Sequence, residues 1–205
     1  VDLLKKEEMP SDAAREYLAV LDRQSQRLRK LTEDLVEASK ASTGNIPVSP
    51  APTDLNVLLS QVCGEYQQRL EDQVLEPVLA LCQPGPVAMA DGRLLWRVLD
   101  NLMSNICKYA MPGTRVYLST EAGEDGVRMV VKNISRYPLN ISADELTERF
   151  VRGDSSRSTE GSGLGLSIAT SLTAIQGGDF RLTIDGDLFK VTLTLPRAEQ
   201  EEKRE

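Results

Sequence analysis

Two β-hairpin patterns with helix-like segments around them constrain the fold of this chain more than any other feature. The first, TRVYLSTEAGEDGVRMVVKNIS at 114–135, has two β-prone runs around a Gly-Glu-Asp-Gly turn, and the second, DFRLTIDGDLFKVTLTLP at 179–196, turns at Asp-Gly-Asp. Short strands are predicted at 74–82 and 86–91. Helices are predicted from Asp54 or Asn56 to Leu70, at 92–110 and at 164–176. This alternation predicts an α+β fold, a two-layer α/β sandwich with a mixed sheet.

A long helix is predicted ahead of this body, at residues 12–42. Its apolar residues follow a heptad interrupted by Gln24, which indicates a coiled coil or a helix bundle. The seam consists of Tyr17, Leu21, Leu28, Leu31, Leu35 and Ala38. Residues 1–8 have the pattern of the end of a preceding helix, so 1–42 is interpreted as part of a helical hairpin.

Proline content and charge set the remaining boundaries. Residues 43–53 carry three prolines and are predicted to be a linker, and 54–197 form the main domain. Residues 198–205 end in the charge run EQEEKRE and are predicted to be a disordered tail.

The composition excludes several classes of function. A net charge of −7 argues against broad binding to nucleic acid or to an anionic membrane. No apolar run approaches the roughly 18 residues of a membrane span, so the chain itself is not expected to insert into a membrane. Three scattered cysteines without C-x-x-C spacing, in a chain without histidine, argue against a zinc site and are typical of a reducing compartment.

The helix LLWRVLDNLMSNICKYA at 94–110 has an unusual polar face. At about 100° per residue, Arg97, Asn101, Asn105 and Lys108 fall within about 80° of one another, opposite the leucines that would face the sheet. Asparagine is a poor residue inside a helix, so two of them one turn apart need a reason. An amide oxygen can bind Mg²⁺ and a lysine can bind phosphate. The alternative is an ordinary solvated face.

A glycine run precedes the last predicted helix in EGSGLGLSIA, Glu160 to Ala169. Glycines let the backbone approach a ligand, and the N–H groups at a helix N-terminus favour anions. The run lacks the lysine of a P-loop and the spacing of the dinucleotide fingerprint. A flexible turn before a helix is the equally open alternative for the run alone.

Together, these segments resemble the ATP-binding domain of sensor histidine kinases, of the superfamily shared with gyrase and the MutL repair proteins. NLMSNICKYA resembles the family's N box, ERFVRGDSSRS its F box and ATP lid, and EGSGLGLSIA its G2 box. The resemblance covers residues 54–196 and implies a Bergerat-type ATPase fold with helices on one face of the sheet. It also implies that the helical hairpin is the dimerisation and phosphotransfer region.

The resemblance implies a role for each matching residue. Asn105 would bind the Mg²⁺ that bridges the ATP phosphates, Asn101 and Lys108 would bind phosphate oxygens, and Arg152, after Phe150, would help neutralise the γ-phosphate. The remaining nucleotide-binding positions implied are Tyr109, Asn133, Phe150, Arg157, Gly161, Gly163, Leu164 and Gly165. Catalysis of this kind relies on positioning and charge stabilisation.

Two features depart from the family pattern. Asn133 and Ser135 stand where the adenine-reading box D-x-G-x-G has its aspartate and first glycine. A neutral hydrogen bond is weaker than a charged one by roughly 1 kcal/mol, so we expect ATP binding that is weakened but not abolished. Ser135 also calls into question the mobility of the lid's first hinge. The phosphoacceptor histidine is missing, and we expect it upstream of Val1.

Two functions are therefore weighed. The first is the ATP-binding catalytic core of a cytoplasmic, dimeric part of a membrane sensor kinase, which passes the γ-phosphoryl of ATP to a histidine and then to an aspartate of a response regulator. The second is a nucleotide-binding regulatory scaffold, an inactive kinase or an anti-sigma-type module. The long heptad helix favours the first, and Asn133 favours the second.

Overall fold

The structure, a computed structural model, describes residues 11–42, 46–139, 143, 146 and 163–198. The helices and strands follow the order predicted from the sequence, with one additional strand near the start. They are α1 Ser11–Ser42, β1 Ala51–Asp54, α2 Leu55–Asp72, β2 Glu76–Ala80, β3 Val87–Ala90, α3 Gly92–Tyr109, β4 Arg115–Gly123, β5 Gly126–Ile134, α4 Gly165–Ala174, β6 Asp179–Asp185 and β7 Leu188–Leu195.

The main sheet has five strands in the order β2-β4-β5-β7-β6. Strand β2 pairs parallel with β4, and the other pairs are antiparallel, so the predicted mixed sheet is confirmed. Both predicted hairpins are present, as β4–β5 and β6–β7. Strands β1 and β3 form a separate antiparallel pair.

The core lies between one face of this sheet and the helices α2, α3 and α4. Along β5, Val127, Met129, Val131 and Asn133 are all buried, because alternate residues of a strand point to the same face. The apolar stripe of α3 meets this face: Leu95, Leu99, Leu102 and Ile106 are between 0 and 2% exposed. The predicted α+β sandwich is therefore confirmed.

Helix α1 contacts the sandwich only near its C-terminal end. Ala38 and Ala41 belong to the buried core, and α1 packs against α4. Farther toward its N-terminus, Tyr17, Leu21 and Leu28 of the heptad seam are exposed. The predicted preceding helix at 1–8 lies outside the described residues.

Two details differ from the sequence analysis. Residues 51–53 are predicted to be linker, but with Asp54 they form β1, which pairs with β3. Its proline is compatible with a strand because β1 pairs on one side only. Ala198, placed in the disordered tail, is buried, and its N–H donates to the carbonyl of Val87 at 2.9 Å. Residues 199–205 lie outside the described residues.

Candidate functional site

The start of α3 is fixed by Asp91. Its carboxylate caps the helix by accepting from the backbone N–H of Arg93 at 3.0 Å, and it also accepts from the N–H of Ser49 at 3.0 Å. Its own N–H donates to Oε1 of Gln176, just after α4, at 2.9 Å. Burial would raise the pKa of Asp91, but the hydrogen bonds from Arg93 and Ser49 outweigh it and lower the pKa. The carboxylate of Asp91 thus connects α3 with the chain before β1, and the backbone N–H of Asp91 connects α3 with the end of α4.

The two asparagines of α3 face the start of α4. Nδ2 of Asn101 donates to the carbonyl of Arg97 at 2.9 Å, which leaves Oδ1 as the outward acceptor. A Cβ atom placed on Gly165 would lie 3.2 Å from Oδ1 of Asn101 and 3.8 Å from Nδ2 of Asn105. The structure therefore brings Asn101, Asn105 and Gly165 together, as the resemblance implies.

The N-terminus of α4 is built without a side-chain cap. Leu164 occupies the N-cap position and makes no capping hydrogen bond with its side chain, because leucine has no polar atom. Gly163 has a φ of +70°, which glycine adopts without strain. The first N–H groups of a helix have no partner within the helix, so a side-chain cap or a ligand can use them. This end of α4, beside two carboxamides, has the chemistry of an anion site.

The end of β5 is joined to the end of α3. The N–H of Met111 donates to the carbonyl of Ile134 at 2.9 Å, and the N–H of Arg136 donates to the carbonyl of Tyr109 at 2.8 Å. Asn133 is 5% exposed, and its Nδ2 donates to the carbonyl of Ile134 at 3.2 Å. Asn133 and the last turn of α3, with Lys108 and Tyr109, therefore lie at the same end of the sandwich. Lys108 is exposed and Tyr109 is half-buried there.

Ser135 closes a local turn at the position of the family's glycine. Its Oγ donates to the carbonyl of Tyr137 at 2.7 Å and accepts from the N–H of Tyr137 at 3.3 Å. Its backbone N–H donates to the carbonyl of Asp187 at 2.7 Å. These hydrogen bonds fasten the chain directly after Asn133.

Arg97 does not join the asparagines, although it belongs to the same face of α3. Its guanidinium forms a salt bridge with Glu37 of α1 at 2.9 Å, and it also contacts Asp34 at 3.3 Å and Asp100 at 3.4 Å. Burial would lower the pKa of Arg97, but the hydrogen bond and charge of Glu37 outweigh it and raise the pKa. Arg97 therefore joins α3 to α1.

Four of the residues expected in the site lie outside the described residues. They are Phe150, Arg152, Arg157 and Gly161. Within the described ranges, no group of three or more cysteine, aspartate or glutamate side chains could hold a metal ion. A divalent cation at the described part of the site would have amide oxygens and the ligand's own phosphates as its donors, a set that suits Mg²⁺. The described helices also include none long and apolar enough to cross a bilayer.

Comparison with known proteins identifies the family. Residues 90–199 match the model of the histidine kinase-, DNA gyrase B- and HSP90-like ATPases. This chain belongs to that ATPase family. The matched part is its ATP-binding catalytic domain, and it contains Asn101, Asn105, Asn133 and the start of α4.

Individual relatives of this chain are named as sensor proteins. The chain is 30% identical to the sensor protein VanSC of Enterococcus gallinarum over 198 residues, which are 95% of this chain and 54% of VanSC. It is 29% identical to the probable sensor protein PcoS of Escherichia coli, covering 88% of this chain and 39% of PcoS. The chain thus spans about half or less of these relatives.

Solved structures share the fold of this ATPase. The histidine kinase AdeS of Acinetobacter baumannii has a TM-score of 0.76 at 19% identity, covering 96% of this chain and 90% of the AdeS chain. Full-length ShkA in complex with AMPPNP has a TM-score of 0.77 at 27% identity, covering 96% of this chain and 41% of ShkA. Both alignments include the long helix ahead of the sandwich.

Sequence reasoning missed four features in and around the site. The roles of Ser49 and Gln176 depend on contacts across 42 and 85 residues, for which the sequence carries no local signal. Asp91 directly before a helix is a recognisable cap signal, so it could have been found. The partner of Arg97 could not have been found, because helical periodicity predicts which residues share a face of a helix but not which residues of another helix pack against that face.

Proposed function

We propose that this chain is the catalytic part of a sensor histidine kinase, which binds ATP with Mg²⁺ and supplies its γ-phosphoryl group to a histidine. The observation that carries the proposal is the contact of Gly165 with Asn101 and Asn105, which places two carboxamides at a helix N-terminus that has no side-chain cap from Leu164. This arrangement combines donors for phosphate oxygens with an amide oxygen for a cation.

In the proposed site, the triphosphate lies between α3 and the start of α4. Asn105 supplies an oxygen ligand to Mg²⁺, Asn101 and Lys108 bind phosphate oxygens, and the N–H groups after Leu164 stabilise the negative charge. Tyr109 lines the pocket and Asn133 accepts from the adenine amino group. Arg152 is assigned to the γ-phosphate, with Phe150, Arg157, Gly161 and Gly163 in the lid that closes over the nucleotide.

The remaining steps need partners. The sequence has no histidine, so the phosphoryl acceptor must be supplied by another segment, and the phosphoryl group then passes to an aspartate of a response regulator. The relatives are named as sensor proteins, which favours this function over the regulatory scaffold. We place this part of the kinase in the cytoplasm, with α1 in the homodimer interface.

Calorimetric titration with ATP tests the proposal. ATP should bind with a dissociation constant in the micromolar range or weaker, and binding should need Mg²⁺. Asn105→Ala should reduce affinity in the presence of Mg²⁺ by at least tenfold, because it removes a ligand of the cation. Gln68→Ala removes an amide on the exposed face of another helix, α2, where it bonds only Asp72 among the described side chains, and should have no effect. No binding at millimolar ATP would contradict the proposal.

A further inference from the structure

Asn133 carries a buried acceptor that the described residues leave unused. Its Nδ2 is engaged by the carbonyl of Ile134, and no described residue donates a hydrogen bond to its Oδ1. The residue is 5% exposed and lies on the inner face of β5 with Met129 and Val131. Buried acceptors are nearly always paired in folded proteins, so Oδ1 is suited to receive a donor from a ligand.

The position of Asn133 decides which part of a nucleotide it can reach. The hydrogen bonds of Met111 with Ile134 and of Arg136 with Tyr109 hold the end of β5 against the last turn of α3. Asn101 and Asn105, which face Gly165 of α4, lie earlier along α3, where the proposed function places the phosphates. The proposed function places the base of a nucleotide bound there at the carboxamide of Asn133.

A carboxamide and a carboxylate read a purine differently. An ionised carboxylate only accepts, so it binds the 6-amino group of adenine and repels the 6-oxo group of hypoxanthine or guanine. A carboxamide carries both an acceptor, Oδ1, and a donor group, Nδ2, which has two N–H groups. In Asn133, the 3.2 Å hydrogen bond to the carbonyl of Ile134 uses one of these N–H groups, and the second N–H of Nδ2 can donate to a ligand. A neutral hydrogen bond of this kind corresponds to roughly a two- to tenfold change in affinity.

We propose that Asn133 makes this site accept 6-oxopurine nucleoside triphosphates as well as ATP. With ATP, Oδ1 accepts from the 6-amino group. With a 6-oxopurine, the second N–H of Nδ2 donates to the 6-oxygen. The inference rests on the proposed function, because it requires that the purine triphosphate occupies the site between α3 and α4.

Titration with ATP and ITP in the presence of Mg²⁺ tests the inference most directly, because hypoxanthine differs from adenine at the 6-position and its adjacent ring proton. We expect ITP to bind within about tenfold of ATP. Asn133→Asp should strengthen or preserve ATP binding and weaken ITP binding, so that the preference for ATP rises at least tenfold. Gln68→Glu makes the same amide-to-acid change on the exposed face of α2 and should leave the preference unchanged.

The outcomes separate the two proposals. Failure of the wild-type chain to bind ATP would overturn the proposed function. ATP binding with ITP at least a hundredfold weaker would overturn only the inference, and this measurement on the wild-type chain does not depend on whether Asn133→Asp folds. An Asn133→Asp variant that binds ATP but keeps the wild-type preference would also overturn it. GTP serves as a third ligand: binding of ITP but not GTP would support the 6-position reading and show that the 2-amino group is excluded.

Discussion

At the scale of single residues, small changes in chemistry set what the nucleotide site can do. Gly165 is a helical residue whose missing Cβ leaves room for the carboxamides of Asn101 and Asn105. Ser135, where the family has a glycine, instead adds hydrogen bonds to Tyr137 on the strand side of the site. The site is thus close-packed at the start of α4, and hydrogen bonds of Ser135 hold the chain in place at the end of β5.

The exchange Gly165→Ala is expected to separate stability from binding. Alanine is a better helix former than glycine, by about 0.5–1 kcal/mol, which favours the folded state. The new Cβ would stand 3.2 Å from Oδ1 of Asn101, so the carboxamide of Asn101 must shift by a few tenths of an ångström. We expect ATP affinity to fall by roughly three- to tenfold while the melting temperature stays the same or rises.

Gly64→Ala is the matched control for this experiment. Gly64 is also helical, and a Cβ there would meet nothing within 4 Å. It should raise stability by a similar amount and leave ATP affinity unchanged, measured by thermal melting and calorimetry on the same samples. Equal ATP affinity in Gly165→Ala and the wild type would show that the contact with the asparagines is not needed for binding.

At the scale of helices and strands, α3 connects its neighbours through one line of polar contacts. Oη of Tyr66 on α2 donates to Oδ1 of Asp100 at 2.6 Å, and burial together with Asp100 raises the pKa of Tyr66. Asp100 contacts Arg97, which reaches Glu37 of α1. The helix that carries the asparagines is therefore joined to α2 on one side and to α1 on the other.

The exchange Arg97→Gln is expected to loosen α1 without changing the nucleotide site. It removes the salt bridges to Glu37 and Asp34 and leaves the nearly buried Asp34 with a weaker set of partners. Breaking partly buried ion pairs of this kind costs about 1–2 kcal/mol. Hydrogen exchange at residues 34–41 should accelerate roughly five- to thirtyfold.

ATP affinity should stay within about twofold in the same variant, because the backbone carbonyl of residue 97, not its side chain, holds Asn101. Arg27→Gln, on the exposed part of α1, is the control and should leave exchange at 34–41 unchanged. Unchanged exchange in Arg97→Gln would show that apolar packing at Ala38 and Ala41 alone holds α1.

The contrast between β1 and the predicted hairpins shows how far local patterns predict this fold. The hairpins and α3 have strong periodicity that agrees with their burial, so the sequence was sufficient for them. Strand β1 contains Pro52 and directly follows Pro50, and it forms because β3, much later in the chain, pairs with it. The contact of Asn101 with Gly165 could be inferred only through the family resemblance, because 64 residues separate the two positions.

At the scale of the whole molecule, α1 projects beyond the sandwich with an apolar seam that the described residues leave uncovered. Leu28 is 64% exposed and Leu35 is 51% exposed, whereas Ala38 and Ala41 are buried against the domain. A seam of leucines at heptad spacing is the pattern of a helix that packs on another helix. A second copy of α1 is the occupant that the proposed homodimer requires.

Charge placed on the seam should therefore separate the dimer. Leu28→Glu and Leu35→Glu each put a carboxylate where a leucine would be desolvated, so sedimentation should show dimerisation weakened by at least tenfold relative to the wild type. Val57→Glu, at an exposed apolar residue of α2, makes a similar change outside the seam and should sediment like the wild type.

A wild-type chain that stays monomeric at high concentration would count against the dimer. If all three variants dissociate equally, association does not run through α1, because an exchange on α2 has then had the same effect as exchanges in the seam.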